Sequence, residues 1–240
     1  MTIVYTHFIN NSTRHKAAMD VVSRSARCCV AANNACTTPE SRTKEVFKKW
    51  FGFVPNTDNL DSWGDVTEII NRMHFYLSDL SLTIEDAAAT LPPNTNAEAS
   101  HFESKDTKSY QDRANKAMNP GVKIKLTDRF FNSLPRVQSD DQTQIETFLH
   151  ELSHIAAGTK DMERADHTPN PQPCYGRVNA LALAVNFPKQ ARNNAENFGF
   201  FITEIGGEVA VASAYAPVGQ SLASGAPRKW AVVVAPTLTR

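Results

Sequence analysis

Ser139-Asp-Asp-Gln-Thr-Gln-Ile-Glu-Thr-Phe-Leu-His-Glu-Leu-Ser-His-Ile-Ala-Ala-Gly158 is the most strongly patterned stretch of this 240-residue chain. Ile145, Phe148, Leu149, Leu152 and Ala156 recur at helical spacing and form one apolar stripe. Ser139 or Asp140 is placed to cap the start, and Asp141 suits the positive end of the helix. Gly158 is placed to stop it in the left-handed conformation. The pattern therefore predicts a helix that buries one face in a core.

Other helices lie on both sides of it. Thr13 to about Ala32 reads as helix, with Asn11 or Ser12 as cap and Ala18, Val21, Val22, Cys29 and Val30 in the stripe. Pro39 opens a second, with Val46, Phe47, Trp50 and Phe51 as its apolar side, ended by Gly52 and Pro55. Asn59 to about Leu80 is a third, carrying Val66, Ile69, Ile70, Met73 and Tyr76. Residues 87–120 carry no clear pattern: Leu91-Pro-Pro-Asn-Thr-Asn reads as a turn or loop, and the stretch from there to Pro120 is polar. Val122 to Leu126 alternates strictly and predicts a strand, and Asp128 to Pro135 a loop or short turn with Phe130 and Phe131. Residues 162–174 are a polar loop containing prolines. Arg177 to Phe187 and Lys189 to Ile205 read as helix broken at Pro188. The fold class is mainly α with a small β-sheet, α+β. Residues 1–205 form the main domain. From 206 to 240 small residues, glycine and proline dominate, with apolar runs at Val209–Ala214 and Trp230–Val234, and this part reads as an appendage.

Composition narrows the function classes. Lysine plus arginine number 25, as do aspartate plus glutamate, so the formal charge is zero. Nucleic-acid binding by phosphate neutralisation calls for a basic excess that is absent, and no nucleic-acid partner is expected. No apolar run approaches the roughly 18 residues of a membrane span. The first eleven residues do not read as a signal peptide. Cys28, Cys29, Cys36 and Cys174 are too few for a disulfide framework and offer no CxxC pair for a thiolate metal site, so buried free thiols are expected.

Chemistry is carried by His150-Glu151-Leu152-Ser153-His154, an HExxH pentapeptide. Histidines at i and i+4 share one helix face, so both imidazoles can reach one zinc ion. The glutamate beside that face is poised to take a proton from a zinc-activated water. A third ligand is needed. The spacing that would put glycine at 157 and histidine at 160 fails, because Ala157 and Lys160 stand there. Glu196, Glu204 and Glu208 are candidates from a later helix. Asp161 is a candidate if Gly158 reverses the chain, and Asp166 and His167 lie within loop reach.

HELSH followed by Gly158-Thr-Lys-Asp161 resembles the aspzincins, the metalloendopeptidase family of deuterolysin and peptidyl-Lys metalloendopeptidase. The signature there is HExxH, GTxD and then Tyr-Gly, matched here by Tyr175-Gly176. Thirteen residues, 162–174, stand where that family has about two. Lys49-Trp50-Phe51-Gly52, the strand at 122–126 with Phe130-Phe131, and Asn194-Ala-Glu-Asn-Phe-Gly-Phe-Phe201 resemble further segments of the family. The resemblance covers about residues 13–205.

The resemblance implies a zincin-like fold and a zinc metalloendopeptidase acting on proteins or peptides. It implies one Zn²⁺ per chain held by His150, His154 and Asp161. Glu151 would be the general base, and Tyr175 would stabilise the oxyanion. Glu196 stands at the first acidic position of the segment that contacts a basic P1′ residue in the lysine-specific members, and Gly199 stands at the second. A zinc peptidase using Glu204 and a catalytically silent binding module are the rival readings. The family is mostly secreted with a leader and pro-segment. This chain therefore reads either as a mature domain or as a leaderless protein delivered like a toxin, in the latter case with a cognate inhibitor or immunity protein as partner; a cytoplasmic location also stays open.

Overall fold

The computed structural model describes residues 2–207 apart from 11, 55–59, 79–80, 89, 93, 101–121, 137–141 and 164–172. Helix α5 (Gln144–Ala157), which carries the HExxH pentapeptide, runs through the middle of the core, and all but Ile155 and Ala157 of its residues are buried. Its cap is Thr143, whose hydroxyl accepts from the Glu146 N–H. This corrects the expected start at Ser139 or Asp140 by one turn. Gly158 ends the helix at φ 66° and ψ 31°, as its position predicts.

Seven further helices are described. Helix α1 (Thr13–Thr37) is capped by Ser12 and extends five residues beyond the expected end. Helices α2 (Ser41–Phe51) and α3 (Leu60–Ser78) follow. The expected turn after Thr127 is a short helix, α4 (Asp128–Ser133), capped by Thr127. Helices α6 (Arg177–Asn186), α7 (Pro188–Ala191) and α8 (Ala195–Ile205) complete the chain. Pro188 sits at the first position of α7, where its missing N–H costs nothing, so it opens a helical turn as well as ending one. The expected continuous helix from Lys189 to Ile205 is split at Asn194, because the backbone there turns to bond Lys160.

The sheet has four strands in the order β1 (Thr2–Thr6), β2 (Ser81–Asp86), β4 (Lys123–Leu126), β3 (Ala97–Ala99). β1, β2 and β4 are parallel and β3 is antiparallel to β4. Only the β4 segment is evident in the sequence pattern. Leu82, Ile84, Ile124 and Leu126 face the helices and are fully buried. The architecture is the expected α+β.

Aromatic packing fixes α8 against α2. Trp50 stacks on Phe200 with centroids 4.8 Å apart, and Phe51 and Phe47 pack against Phe198 and Phe201. Gly52, at φ 78°, ends α2. A Cβ there would sit 1.9 Å from the Ala184 carbonyl oxygen, so no other residue fits. All four cysteines are buried and none is in a disulfide; burial pushes the Cys36 thiol up to about 12. Among the described residues no helix is long and apolar enough to cross a membrane. The appendage after 207 lies outside the described residues.

Candidate metal centre

The helical period places His150 and His154 on one face of α5, with both rings buried. Their Nε2 atoms approach to 3.1 Å. After Gly158 reverses the chain, the next residues are pinned to the turn before α8. The Lys160 N–H donates to the Asn193 carbonyl, the Ala195 N–H to the Lys160 carbonyl, and the Met162 N–H to Asn194 Oδ1. Asp161 is thereby held over the two imidazoles, its Oδ1 3.0 Å from His150 Nε2 and 3.3 Å from His154 Nε2.

This triangle can be tested against zinc. Tetrahedral coordination with bonds of about 2.0–2.1 Å requires ligand atoms roughly 3.3–3.4 Å apart. The three edges are 3.0, 3.1 and 3.3 Å, so one meets that spacing and two lie a few tenths of an ångström inside it.

Each histidine has its second nitrogen occupied. His154 Nδ1 lies 2.7 Å from the Thr159 carbonyl oxygen and His150 Nδ1 2.8 Å from Glu196 Oε2. A carbonyl only accepts, so His154 carries its proton on Nδ1 and offers Nε2. A carboxylate at His150 imposes the same choice. Ser153 Oγ contacts Thr159 Oγ1 at 2.7 Å and ties the end of the helix to this turn.

Glu151 is buried at the edge of β3. Its Oε2 accepts from the Ala99 N–H at 2.7 Å, and its Oε1 lies 4.0 Å from His150 Nε2. One oxygen is thus anchored while the other lies on the side of the His150 ring nitrogen. Tyr175 is 45% exposed, with its ring 5.9 Å from that of His150. Its hydroxyl reaches Asp161. Burial, then the Asp161 charge, holds the phenol well above its ordinary range.

Glu196 is 1% exposed and turned inward. Besides the contact to His150, its Oε1 accepts from the Gly176 N–H at 2.6 Å and from Gln142 Nε2 at 2.8 Å. It sits on the Nδ1 side of His150, away from the side where His154 and Asp161 converge. Glu204 lies elsewhere, accepting from Lys49 Nζ and Trp50 Nε1. Asp166, His167 and Glu208 lie outside the described residues.

Charge in the cluster is tightly coupled. Burial draws the His150 imidazolium down, but Asp161, Glu196 and Glu151 together hold it well above its ordinary value. Burial pushes Asp161 up, and its bonds to His150 and His154 more than reverse this, leaving it far below the usual carboxylate range. Such a site attracts a cation, and a metal there would compete with a proton for His150.

The thirteen residues between Asp161 and Tyr175 do not separate them in space. The Cys174 N–H donates to the Met162 carbonyl at 2.7 Å, and Glu163 pairs with Pro173. The excursion is closed at its base, leaving only Met162 and Cys174 between Asp161 and Tyr175 along the shortened path. Sequence reasoning did not find Ala99, Gln142 or Glu146, nor the part played by the Thr159 carbonyl, because Ala99 and Thr159 act through backbone groups and no pattern in the sequence directs Gln142 or the Glu146 carboxylate to this site.

No family profile matches the sequence, and no curated protein is similar to it. Among solved structures, the chain is similar to a zinc peptidase from Grifola frondosa. The TM-score is 0.55 at 20% identity, over 80% of this chain and 95% of that one. The similarity is one of fold.

Proposed function

We propose that this protein is a zinc-dependent endopeptidase in which His150, His154 and Asp161 hold the metal. The observation that carries the reading is the triangle of two Nε2 atoms and one Oδ1, spaced for a tetrahedral ion and beside the anchored Glu151. The zinc peptidase fold of the Grifola frondosa protein supports it.

Zinc at such a site supplies a Lewis acid that makes water a usable nucleophile near neutral pH. The protein's own groups do the rest. Ala99 holds Glu151 Oε2, so Oε1 is the atom that takes the proton from the attacking water. As the water oxygen bonds to the peptide carbonyl carbon, the Tyr175 hydroxyl donates to the carbonyl oxygen, which gains negative charge. Its high pKa keeps that hydroxyl protonated for the task. Glu151 then delivers its proton to the amine nitrogen as the C–N bond breaks.

Glu196 acts as the support of His150, fixing its tautomer and angle, and through the Gly176 N–H it also fixes the turn that carries Tyr175. With its three donors and its burial, it is a positioning residue in this reading, not a wall of a pocket for a basic side chain.

Glu151→Gln tests the proposal. The variant is expected to retain one equivalent of zinc and lose hydrolysis of unfolded casein by about 10²–10⁴-fold. Full activity in this variant would refute the mechanism, and a wild-type chain that binds no zinc would refute the metal site.

A further inference from the structure

Behind His150 stands a second carboxylate that the proposed reaction does not use. Glu146 lies one turn before His150 on α5, is 1% exposed, and has a carboxylate oxygen within 4.8 Å of both Glu196 and a His150 ring nitrogen. The spelling Thr143-x-x-Glu146 is that of a capping box, and the Thr143 hydroxyl does accept from the Glu146 N–H at 3.0 Å. That bond uses only the backbone of Glu146, and no bond from the Thr143 N–H to the carboxylate is seen, so capping does not account for where the carboxylate is directed.

Gly199 on α8 makes that direction possible. A Cβ at 199 would stand 2.6 Å from Glu146 Oε1 and 2.9 Å from the Glu146 carbonyl oxygen. Gly199 is helical with no positive φ, so backbone conformation does not demand glycine there. The space does. The missing side chain leaves room for the Glu146 carboxylate to face Glu196 at the seam between α5 and α8.

Two buried carboxylates this close repel each other unless a cation lies near. The cluster contains four in all, Glu146, Glu151, Asp161 and Glu196, around two imidazoles. A dication at the His150–His154–Asp161 triangle is the species that such an excess of negative charge favours.

Resting on the zinc reading above, we propose that Glu146 is a positioning residue for the metal. Its charge stands behind Glu196, strengthens the Glu196–His150 contact, and raises the affinity of the triad for zinc. Gly199 is glycine because this carboxylate occupies its side-chain space.

The test compares zinc affinity, by competition with a chromophoric chelator, for wild type, Glu146→Gln, Glu196→Gln and the double variant. Thermal midpoints of the metal-free proteins are read alongside. Gln keeps the shape of Glu146 and its backbone bond to the Thr143 hydroxyl and removes the charge. Supporting partners of metal ligands change metal affinity about 10–100-fold when removed. Glu146→Gln is expected to weaken zinc about tenfold with the metal-free midpoint unchanged or raised. In the Glu196→Gln background the same change should cost less than about twofold, because Glu146 acts through Glu196. Gly199→Ala, which crowds the same carboxylate, should weaken zinc in the same direction. The Co²⁺-substituted visible spectrum should shift in Glu146→Gln. Unchanged zinc affinity in Glu146→Gln, full additivity in the double variant, or parallel losses of affinity and metal-free stability would each overturn the proposal. A wild-type protein that binds no zinc would instead defeat the metal reading itself.

Discussion

Replacing Glu196 by glutamine should cripple zinc binding while leaving the fold in place. Glu196 Oε1 accepts from two donors, the Gly176 N–H and Gln142 Nε2, and Oε2 accepts from His150 Nδ1. A glutamine has one oxygen and one NH₂. Its oxygen is best placed toward the two donors, which turns the NH₂ toward His150 Nδ1. The imidazole can then be satisfied only by moving its proton to Nε2, the nitrogen the metal needs. Binding zinc must restore the other tautomer against two opposed donors. A hydrogen bond to a charged group is worth about 1.5–3 kcal/mol. At about 1.4 kcal/mol per factor of ten, that is a loss of roughly 10–150-fold in affinity. Chelator competition at fixed pH reads the change directly. Calorimetry in buffers of different ionisation enthalpy adds a second measure. In the metal-free wild type the neighbouring Asp161, Glu196 and Glu151 raise the His150 pKa, so zinc competes there with a proton. In Glu196→Gln that pKa falls and fewer protons should be released. Wild-type affinity and wild-type proton release in the variant would refute the role given to Glu196.

Two further outcomes are expected. Asp161→Ala should lose stoichiometric zinc, whereas Glu204→Ala should keep it and instead lower the thermal midpoint, since Lys49 and Trp50 lose their shared acceptor; metal analysis and a melting curve distinguish these, and the reverse pattern would exchange the roles of the two acids. Deleting residues 163–173, so that Met162 joins Cys174, should leave zinc affinity within about threefold of wild type, because an affinity loss of even tenfold corresponds to about 1.4 kcal/mol and the junction is already bridged by a hydrogen bond; a metal-free deletion variant would show that the excursion itself builds the site.

The helices were legible because each carries its own signal. Stripes at 3.6-residue spacing mark α1, α2, α3 and α5, and Gly52 and Gly158 stop two of them where expected. The sheet was mostly not legible. Ser81-Leu-Thr-Ile-Glu-Asp follows the α3 stripe with no glycine or proline between them, so its short alternation has no boundary to set it apart. β3 is only Ala97–Ala99, and alanine has no strand preference. Its place comes from pairing with β4 and from the bond between the Ala99 N–H and Glu151, both long-range facts. The cap of α5 was misread for a related reason. Several residues from Ser139 to Thr143 can cap, and the choice of Thr143 is made by the bond from Gln144 N–H to the Pro135 carbonyl and by Gln144 Nε2 reaching the Phe130 and Leu134 carbonyls.

The proposed ligand set shows how spacing in sequence and spacing in the fold diverge. His150 and His154 could be paired from the sequence because a helix fixes their distance. Asp161 needed the reversal at Gly158, which the sequence signals, and the attachment of Lys160 to Asn193 and Ala195, which it does not. Tyr175 was the hardest case, since thirteen intervening residues obscure its proximity. The bond from the Cys174 N–H to the Met162 carbonyl removes the difficulty, because it shortcuts the chain at two neighbouring positions. An insertion closed at its base adds length without moving its flanks. Its tolerance follows from where it is anchored: Met162 is held to Asn194, and Gly176 to Glu196, so both flanks are fixed to the start of α8. The α8 segment that orients His150 from behind therefore also holds Asp161 and Tyr175 in front, and a change at Asn194 or Glu196 would be felt by all three.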